Sequence, residues 1–193
     1  MARITELHNV KCLAIDPALN NTGWAVMRNE VILRTGVVAA GKDVVKGIGM
    51  SVAEQSYLKC LYIASRLGRI IQEHDIGLIC GELPTGGAKS ANAIKSMAAA
   101  TGTIAGLAVG IDLDVLWASP NEVKAVLTGD KRAKKLDVML AVVERFDLPL
   151  KKVGKSTRYK FEVGTDSYGV GKFEHIADAI CAYMACVWRT EMT

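Results

Sequence analysis

The chain has 193 residues, of which 50% are hydrophobic and 23% charged, and its formal net charge is +4. This composition is typical of an ordinary globular domain and excludes disordered and fibrous chains. A chain of this length buries enough surface to fold without disulfide bonds, and we predict one domain over residues 1–193. The five cysteines form no C-x-x-C pair, which favours buried thiols in a reducing compartment over a zinc site.

The N-terminal segment and the longest uncharged stretch both favour a cytoplasmic protein. Met1–Asn9 carries Arg3, Glu6 and His8 before any apolar run, which is unlike a secretory signal. The longest uncharged stretch, Ser96–Ile111, has 16 residues, fewer than the roughly 20 apolar residues that span a membrane. We therefore expect no membrane anchor and interpret this stretch as part of a buried helix.

Apolar periodicity and capping residues predict an α/β chain. Strands are predicted at Val10–Ile15, Gly23–Met27, Val31–Ala39, Ile76–Cys80 and Leu113–Trp117. Helices are predicted from Ser51 to Glu73, Ser90 to Val109, Ser119 to Leu127, Ala133 to Phe146 and Phe173 to Trp188. The segment Pro149–Gly171 is basic and shows no clear period, so we interpret it as a loop or a small hairpin.

Two carboxylates stand at the ends of predicted buried strands. Asp16 follows the first strand and Glu82 follows the fourth. Carboxylates at neighbouring strand ends repel each other unless a cation holds them, and oxygen ligands favour Mg²⁺ or Mn²⁺ over zinc. His175 and Asp178 share one face of the last predicted helix. Spacing alone leaves open a turn aspartate, a solvated glutamate and ordinary helix-surface residues at these four positions.

Positive charge is concentrated between Lys124 and Lys160, where 11 Lys and Arg stand against 4 Asp and Glu. Such a segment suggests a surface that faces phosphates. The candidate DNA contacts are Lys124, Lys131, Arg132, Lys134, Lys135, Lys151, Lys152, Lys155, Arg158 and Lys160. Tyr159 and Phe161 add aromatic rings that could stack on a base. A solvated basic loop is the alternative for the part beyond residue 149.

Four motifs, in order along the chain, resemble those of the RuvC-type Holliday junction resolvases, and we expect a bacteriophage-type member of that family. The motifs are LAIDPALNNTGWAV at Leu13–Val26, Gly81-Glu82, Ser119–Lys124 with Thr128-Gly129, and His175–Ala179. Together they extend the resemblance roughly from Lys11 to Ala185. The loop Leu83–Gly87 departs from the pattern, because several relatives present an aromatic wedge there and this chain has none.

The resemblance implies a ribonuclease H-like fold, with a five-stranded mixed sheet flanked by helices, and a homodimer that cuts four-way DNA junctions in recombination and repair. It implies that Asp16, Glu82, His175 and Asp178 hold two Mg²⁺ ions per active site, with Mn²⁺ as an alternative. Lys124 and Lys135 match basic residues beside the scissile phosphate. Water would be the nucleophile, and paired symmetric nicks would leave a 5′ phosphate and a 3′ hydroxyl.

Other functions remain open at this point. The missing wedge and the basic segment favour, as the main alternative, a branched-DNA endonuclease that also cuts flaps and forks. A non-catalytic junction-binding protein is less favoured, because all four candidate ligands are present. The Ala- and Gly-rich helix at Ser90–Val109 is either a tightly packed central helix or, by resemblance, part of the dimer interface.

Overall fold

The structure is a computed structural model and describes residues 9–41, 43–45, 49–84, 90–153 and 158–191. Its strands are β1 (Cys12–Asp16), β2 (Asn21–Arg28), β3 (Val31–Ala39), β4 (Leu78–Glu82), β5 (Asp114–Ala118), β6 (Leu150–Val153), β7 (Arg158–Val163) and β8 (Asp166–Gly169). Its helices are α1 (Val52–His74), α2 (Ala91–Gly110), α3 (Pro120–Thr128), α4 (Lys135–Arg145) and α5 (Val170–Glu191).

The main sheet has five strands in the order β3-β2-β1-β4-β5. β1 pairs antiparallel with β2 and parallel with β4, and β4 pairs parallel with β5. Helices cover both faces, which explains why β1 and β4 are continuous apolar runs rather than alternating ones. The predicted α/β fold with a five-stranded mixed sheet is confirmed.

The two faces of the sheet belong to separate parts of the core. Cys12 and Ala14 pack with α5 on one face. Leu13 and Ile15 pack with α1 and α2 on the other. Burying apolar side chains on both sides holds β1 firmly at the centre of the molecule. The cysteines are free thiols, and all are buried except Cys60, which is half-buried.

Local capping residues fix where two of the helices begin. Ser51 and Glu54 form a capping box at α1, and Ser119 and Glu122 form a second one at α3, where Pro120 opens the helix. In each box the serine hydroxyl accepts from the N3 backbone N–H and the glutamate accepts from the cap N–H, satisfying donors that a helix start leaves free. These starts match the sequence predictions.

The prediction that α2 is buried is wrong. Only Ala100, Ile104 and Ala108 are buried on this helix, while Ile94 is 56% exposed and Val109 is 83% exposed. One face packs on α1 and the opposite face stays open. Within the described residues, α2 is also the one helix long and apolar enough to cross a membrane by length and composition, with 17% of that window buried.

The segment interpreted as a loop or small hairpin forms a three-stranded antiparallel sheet, β6-β7-β8. The rings of Phe161 in β7 and Phe173 in α5 stack with centroids 4.0 Å apart, which extends the main core into this sheet. The other predicted elements exist, with shifted bounds. Among the starts of elements, the largest shift is at α5, which begins at Val170 instead of Phe173. The starts of β1, β2, β4 and α4 each differ from the prediction by two residues.

Candidate active site

Two parallel strands bring Asp16 and Glu82 to the same edge of the sheet. Ile15 of β1 pairs with Gly81 of β4, so the residues that follow them are neighbours at the carboxyl ends. A Cβ at Gly81 would lie 2.7 Å from the ring of Trp117. The absence of a Cβ at Gly81 therefore leaves room for that indole next to the residue that precedes Glu82. The predicted convergence of the two strand ends is what the structure shows.

The first turns of α5 carry His175 and Asp178 to the same place. The Nδ1 atom of His175 lies 2.8 Å from an Oδ2 oxygen of Asp16, and the two side chains are 23% and 18% exposed. This hydrogen bond connects the last helix to the first strand. It leaves Nε2 as the ring nitrogen that an ion can use, an arrangement common in histidine metal ligands.

Gly23 makes this contact sterically possible, a role that was not predicted from the sequence. Gly23 pairs with Asp16 across β1 and β2. A Cβ at Gly23 would lie 2.1 Å from the backbone carbonyl oxygen of His175, closer than any two such atoms can approach. The available signal was a glycine inside a strand, which often marks a close backbone approach.

Burial and mutual repulsion perturb the carboxylates. Burial, reinforced by the Asp16 charge, raises the pKa of Glu82 to about 7, against the opposing effect of Lys124 and Lys135. Burial also raises the pKa of Asp178 to about 7, with Asp16, Glu82 and Glu174 adding repulsion. The hydrogen bond that the His175 ring N–H donates to the Asp16 carboxylate raises the pKa of His175. Such clustered shifts are typical of functional sites.

The donor set fits a hard divalent cation. Three carboxylates lie near one imidazole, and the repulsion among the carboxylates is what a cation would relieve. Within the described part of the chain, no three His, Cys, Asp or Glu side chains already converge on one point.

A cleft of about 520 Å³ opens beside the carboxylates. Glu82 and Asp178 line it together with Lys124 of α3 and with Lys134 and Lys135 at the start of α4. Lys135 forms an ion pair with Glu174, the residue before His175. This contact raises the pKa of Lys135, so the lysine is a fixed positive charge at the cleft.

The remaining predicted DNA contacts lie in two groups. Lys131 and Arg132 are exposed in the turn before α4, next to the cleft. Lys151, Lys152 and Lys160 are exposed on the sheet β6–β8. Three predictions cannot be placed: Lys155, the side chain of Arg158, and residues 85–89 of the loop without a wedge lie outside the described residues.

Comparison with known proteins decides the family. The family model described as crossover junction endodeoxyribonuclease RuvC matches residues 12–155. The chain belongs to the RuvC family. The RuvC of Rickettsia bellii (strain RML369-C) is 31% identical over 127 residues, 66% of this chain and 76% of that protein. The RuvC of Mycobacterium sp. (strain KMS) is 30% identical over 129 residues, 67% of this chain and 66% of that protein.

Solved structures of RuvC and of a mitochondrial resolvase share the fold. Thermus thermophilus RuvC in complex with a Holliday junction substrate superposes with a TM-score of 0.67 at 17% identity, covering 95% of this chain and 96% of that one. The yeast mitochondrial Holliday junction resolvase Ydc2 gives 0.60 at 11% identity, covering 98% and 85%. The main sheet and its helices therefore have the ribonuclease H-like fold of RuvC.

The RuvC match covers Asp16, Glu82, Lys124 and Lys135 but ends before α5. His175 and Asp178 lie outside the matched segment, and the packing of α5 on the main sheet places them near Asp16 and Glu82. The sheet β6–β8 begins inside the match and continues beyond it.

Proposed function

We propose that the protein is a divalent-metal-dependent endodeoxyribonuclease that resolves four-way DNA junctions by paired symmetric nicks. The observation that carries this proposal is that Glu82 and Asp178 line a cleft together with three lysines, next to the hydrogen-bonded pair Asp16 and His175, in a chain of the RuvC family. Such an enzyme would act on DNA in recombination and repair. It would work in the cytoplasm, which is the host cytoplasm if the protein is encoded by a phage.

Asp16, Glu82, His175 and Asp178 would hold the metal ions. An oxygen-rich donor set favours Mg²⁺, two ions per site, and one imidazole also admits Mn²⁺. When bound, two such ions would lower the pKa of the attacking water, so that it loses a proton more readily, and would stabilise the leaving 3′ oxygen; the products would carry a 5′ phosphate and a 3′ hydroxyl. Glu82 and Asp178 must lose their protons to bind, because only the carboxylate form is a good ligand.

The lysines of the cleft act on the substrate phosphate. Lys124 and Lys135 line the same cleft as Glu82 and Asp178, so a phosphodiester lying in it would contact both charges. Preorganised cations stabilise the extra negative charge of the transition state without needing metal-like geometry. Lys131, Arg132 and Lys134 extend this positive wall along the approach to α4 and would hold the flanking backbone.

The open face of α2 would form the dimer. Small residues such as Ala98, Gly102 and Ala105 are exposed along it, flanked by Ile94 and Val109. An exposed apolar face of this kind marks an interaction site, and small residues let two helices approach closely. A two-fold dimer would present two active sites to two opposed strands of a symmetric junction.

Cleavage of synthetic DNA tests the function. The substrates are a four-way junction, a flap, a fork and a linear duplex, each with Mg²⁺ or Mn²⁺, treated with wild type or Asp16→Asn. We expect paired nicks at symmetric positions of the junction, and a loss of at least about 1000-fold in the variant. Asp112→Asn is the matched control, because this exposed aspartate has a left-handed backbone that asparagine tolerates.

Each outcome discriminates between functions. Equal cutting of flaps, forks and junctions would favour the broader branched-DNA endonuclease. Tight junction binding without cleavage under either metal would mean a non-catalytic junction-binding protein. Full activity of Asp16→Asn would show that the proposed ligand set is wrong.

A further inference from the structure

The sheet β6–β8 is attached to the helix that carries two of the proposed metal ligands. Phe161 and Val163 are buried on its inner face. Phe161 stacks on Phe173, with an angle of 5° between the rings, and Phe173 lies two residues before His175. The RuvC family match ends at residue 155, before β7 begins. Strands β7 and β8 therefore lie beyond the segment that the family model matches.

A second anchor joins the sheet to the main sheet. The hydroxyl of Tyr168 in β8 donates a hydrogen bond to the backbone carbonyl of Thr35 in β3, at 3.0 Å. The hydroxyl of Thr35 in turn donates to the Tyr168 oxygen at 3.2 Å. Contacts to two separate elements, α5 and β3, fix both the position and the orientation of β6–β8.

The outer face of the sheet places two like charges opposite each other. Lys151 in β6 pairs in register with Lys160 in β7, and like charges directly opposite destabilise a sheet. Glu162 compensates Lys151 through an ion pair of 2.7 Å. Within the described residues, no carboxylate forms an ion pair with Lys160, and Gly169 on its other side leaves open space. An anion lying between the two lysines would remove their repulsion.

We propose that this outer face binds the phosphate backbone of one arm of a branched DNA, with Lys151 and Lys160 on either side of it. The proposal rests on the proposed function, which makes DNA the substrate. Charge complementarity selects a phosphate backbone, because the exposed groups that flank the proposed contact are ammonium ions. The two anchors then hold that arm at a constant position relative to His175 and Asp178, and Glu162 competes with DNA for Lys151.

Binding measured without divalent ions tests the contact separately from cleavage. Lys151→Gln/Lys160→Gln should bind a four-way junction roughly tenfold more weakly than wild type near physiological salt. The slope of log affinity against log salt should fall by up to about 1.8, since each phosphate contact contributes about 0.9. Arg66→Gln/Arg69→Gln is the matched control: it removes the same charge from exposed positions of α1, on the other face of the main sheet.

A third variant shifts affinity in the opposite direction. Glu162→Gln frees Lys151 and should tighten junction binding about two- to threefold, the scale of an exposed ion pair. Poor folding cannot produce tighter binding, so this result would separate a direct contact from a damaged protein. Unchanged affinity and slope in Lys151→Gln/Lys160→Gln, or an equal loss in the arginine control, would overturn the proposal.

Failure of the proposed function would look different. In that case wild type would nick no branched substrate and bind a junction no better than a duplex. The sheet contact would still be supported if Lys151→Gln/Lys160→Gln weakened duplex binding and the arginine control did not. If the lysine variant bound an acidic protein less well than wild type but DNA equally well, the partner would be that protein and the DNA proposal would be wrong.

Discussion

At the scale of single residues, the site depends on one contact between a strand and a helix. Asp16 and His175 are 159 positions apart in the chain and share a hydrogen bond of 2.8 Å. Gly23 permits the approach because it has no Cβ to occupy the space of the His175 carbonyl. Gly23 is therefore needed for the hydrogen bond between Asp16 and His175, although it has no functional side chain itself.

Gly23→Ala should lower the free energy of unfolding by about 3 kcal/mol, because the added methyl forces α5 away from β2. Urea denaturation of the metal-free protein measures this. Gly110→Ala is the control: a Cβ there meets open space, and alanine favours a helix. If Gly23→Ala were as stable as wild type, the close approach of α5 to β2 would be wrong.

The buried carboxylates should make the metal-free protein less stable as pH rises. Burial raises the pKa of Glu82 and of Asp178 to about 7, above the values of the unfolded chain. Between about pH 4.5 and 7 the folded state therefore binds more protons than the unfolded state, and stability falls with increasing pH. The raised pKa of His175 acts in the same direction, since its stabilising charge is lost as pH rises through that pKa.

Asp178→Asn should consequently raise the melting temperature of the metal-free protein at pH 8 while abolishing cleavage. The substitution removes a buried charge without changing the shape of the side chain. Thermal unfolding at pH 5 and pH 8, with and without Mg²⁺, measures this effect. Mg²⁺ should stabilise wild type at pH 8 and have little effect on the variant. A variant less stable than wild type at pH 8 would contradict the assigned repulsion.

At the scale of elements, α2 has an apolar face that no other element of the same chain covers, within the described residues. Its exposed face carries Ile94 and Val109 at the ends and small residues between them.

Gly102→Glu should weaken the proposed dimer at least about 100-fold, because the substitution buries a charge without a partner. Sedimentation velocity measures the change. Gln72→Glu on α1 adds the same charge at an exposed position and should leave the dimer intact.

Elements fixed by local signals could be predicted, and those fixed by distant partners could not. The starts of α1 and α3 follow from Ser51 and Ser119, whose capping partners lie three residues away. The burial of α2 could not be predicted, because its Ala and Gly residues give no clear apolar face. For β7 a period of two was visible in Tyr159, Phe161 and Val163, but the interleaved charges made the segment resemble a solvated loop.

In the candidate site, too, some positions could be predicted from the sequence and others depend on distant partners. Asp16 and Glu82 could be placed together, because the ends of neighbouring parallel strands meet at one edge. The hydrogen bond from His175 to Asp16 and the ion pair between Lys135 and Glu174 depend on how α5 crosses the sheet. No local pattern encodes that crossing, so residue spacing alone left these contacts open.

At the scale of the whole molecule, the proposed dimer couples two cuts. A mixed dimer with one Asp16→Asn subunit should make single nicks, because one of its two sites lacks a ligand. A plasmid that extrudes a cruciform gives linear DNA after paired nicks and a nicked circle after one. Mixed dimers purified with two different tags should yield mostly nicked circles. Linear product from these dimers would mean that one active site cuts both strands.

β1 has a hydrogen-bonded strand on each side, and its apolar residues are shielded on both faces. Amide hydrogens at the centre of such a sheet exchange with solvent only when the whole molecule opens. Asp16 is the last residue of this strand, so we expect the Asp16 backbone to stay in place until the whole protein unfolds. Heat should therefore inactivate the enzyme in a single step that coincides with the loss of the slowest-exchanging amides, with no partly active species at intermediate temperatures.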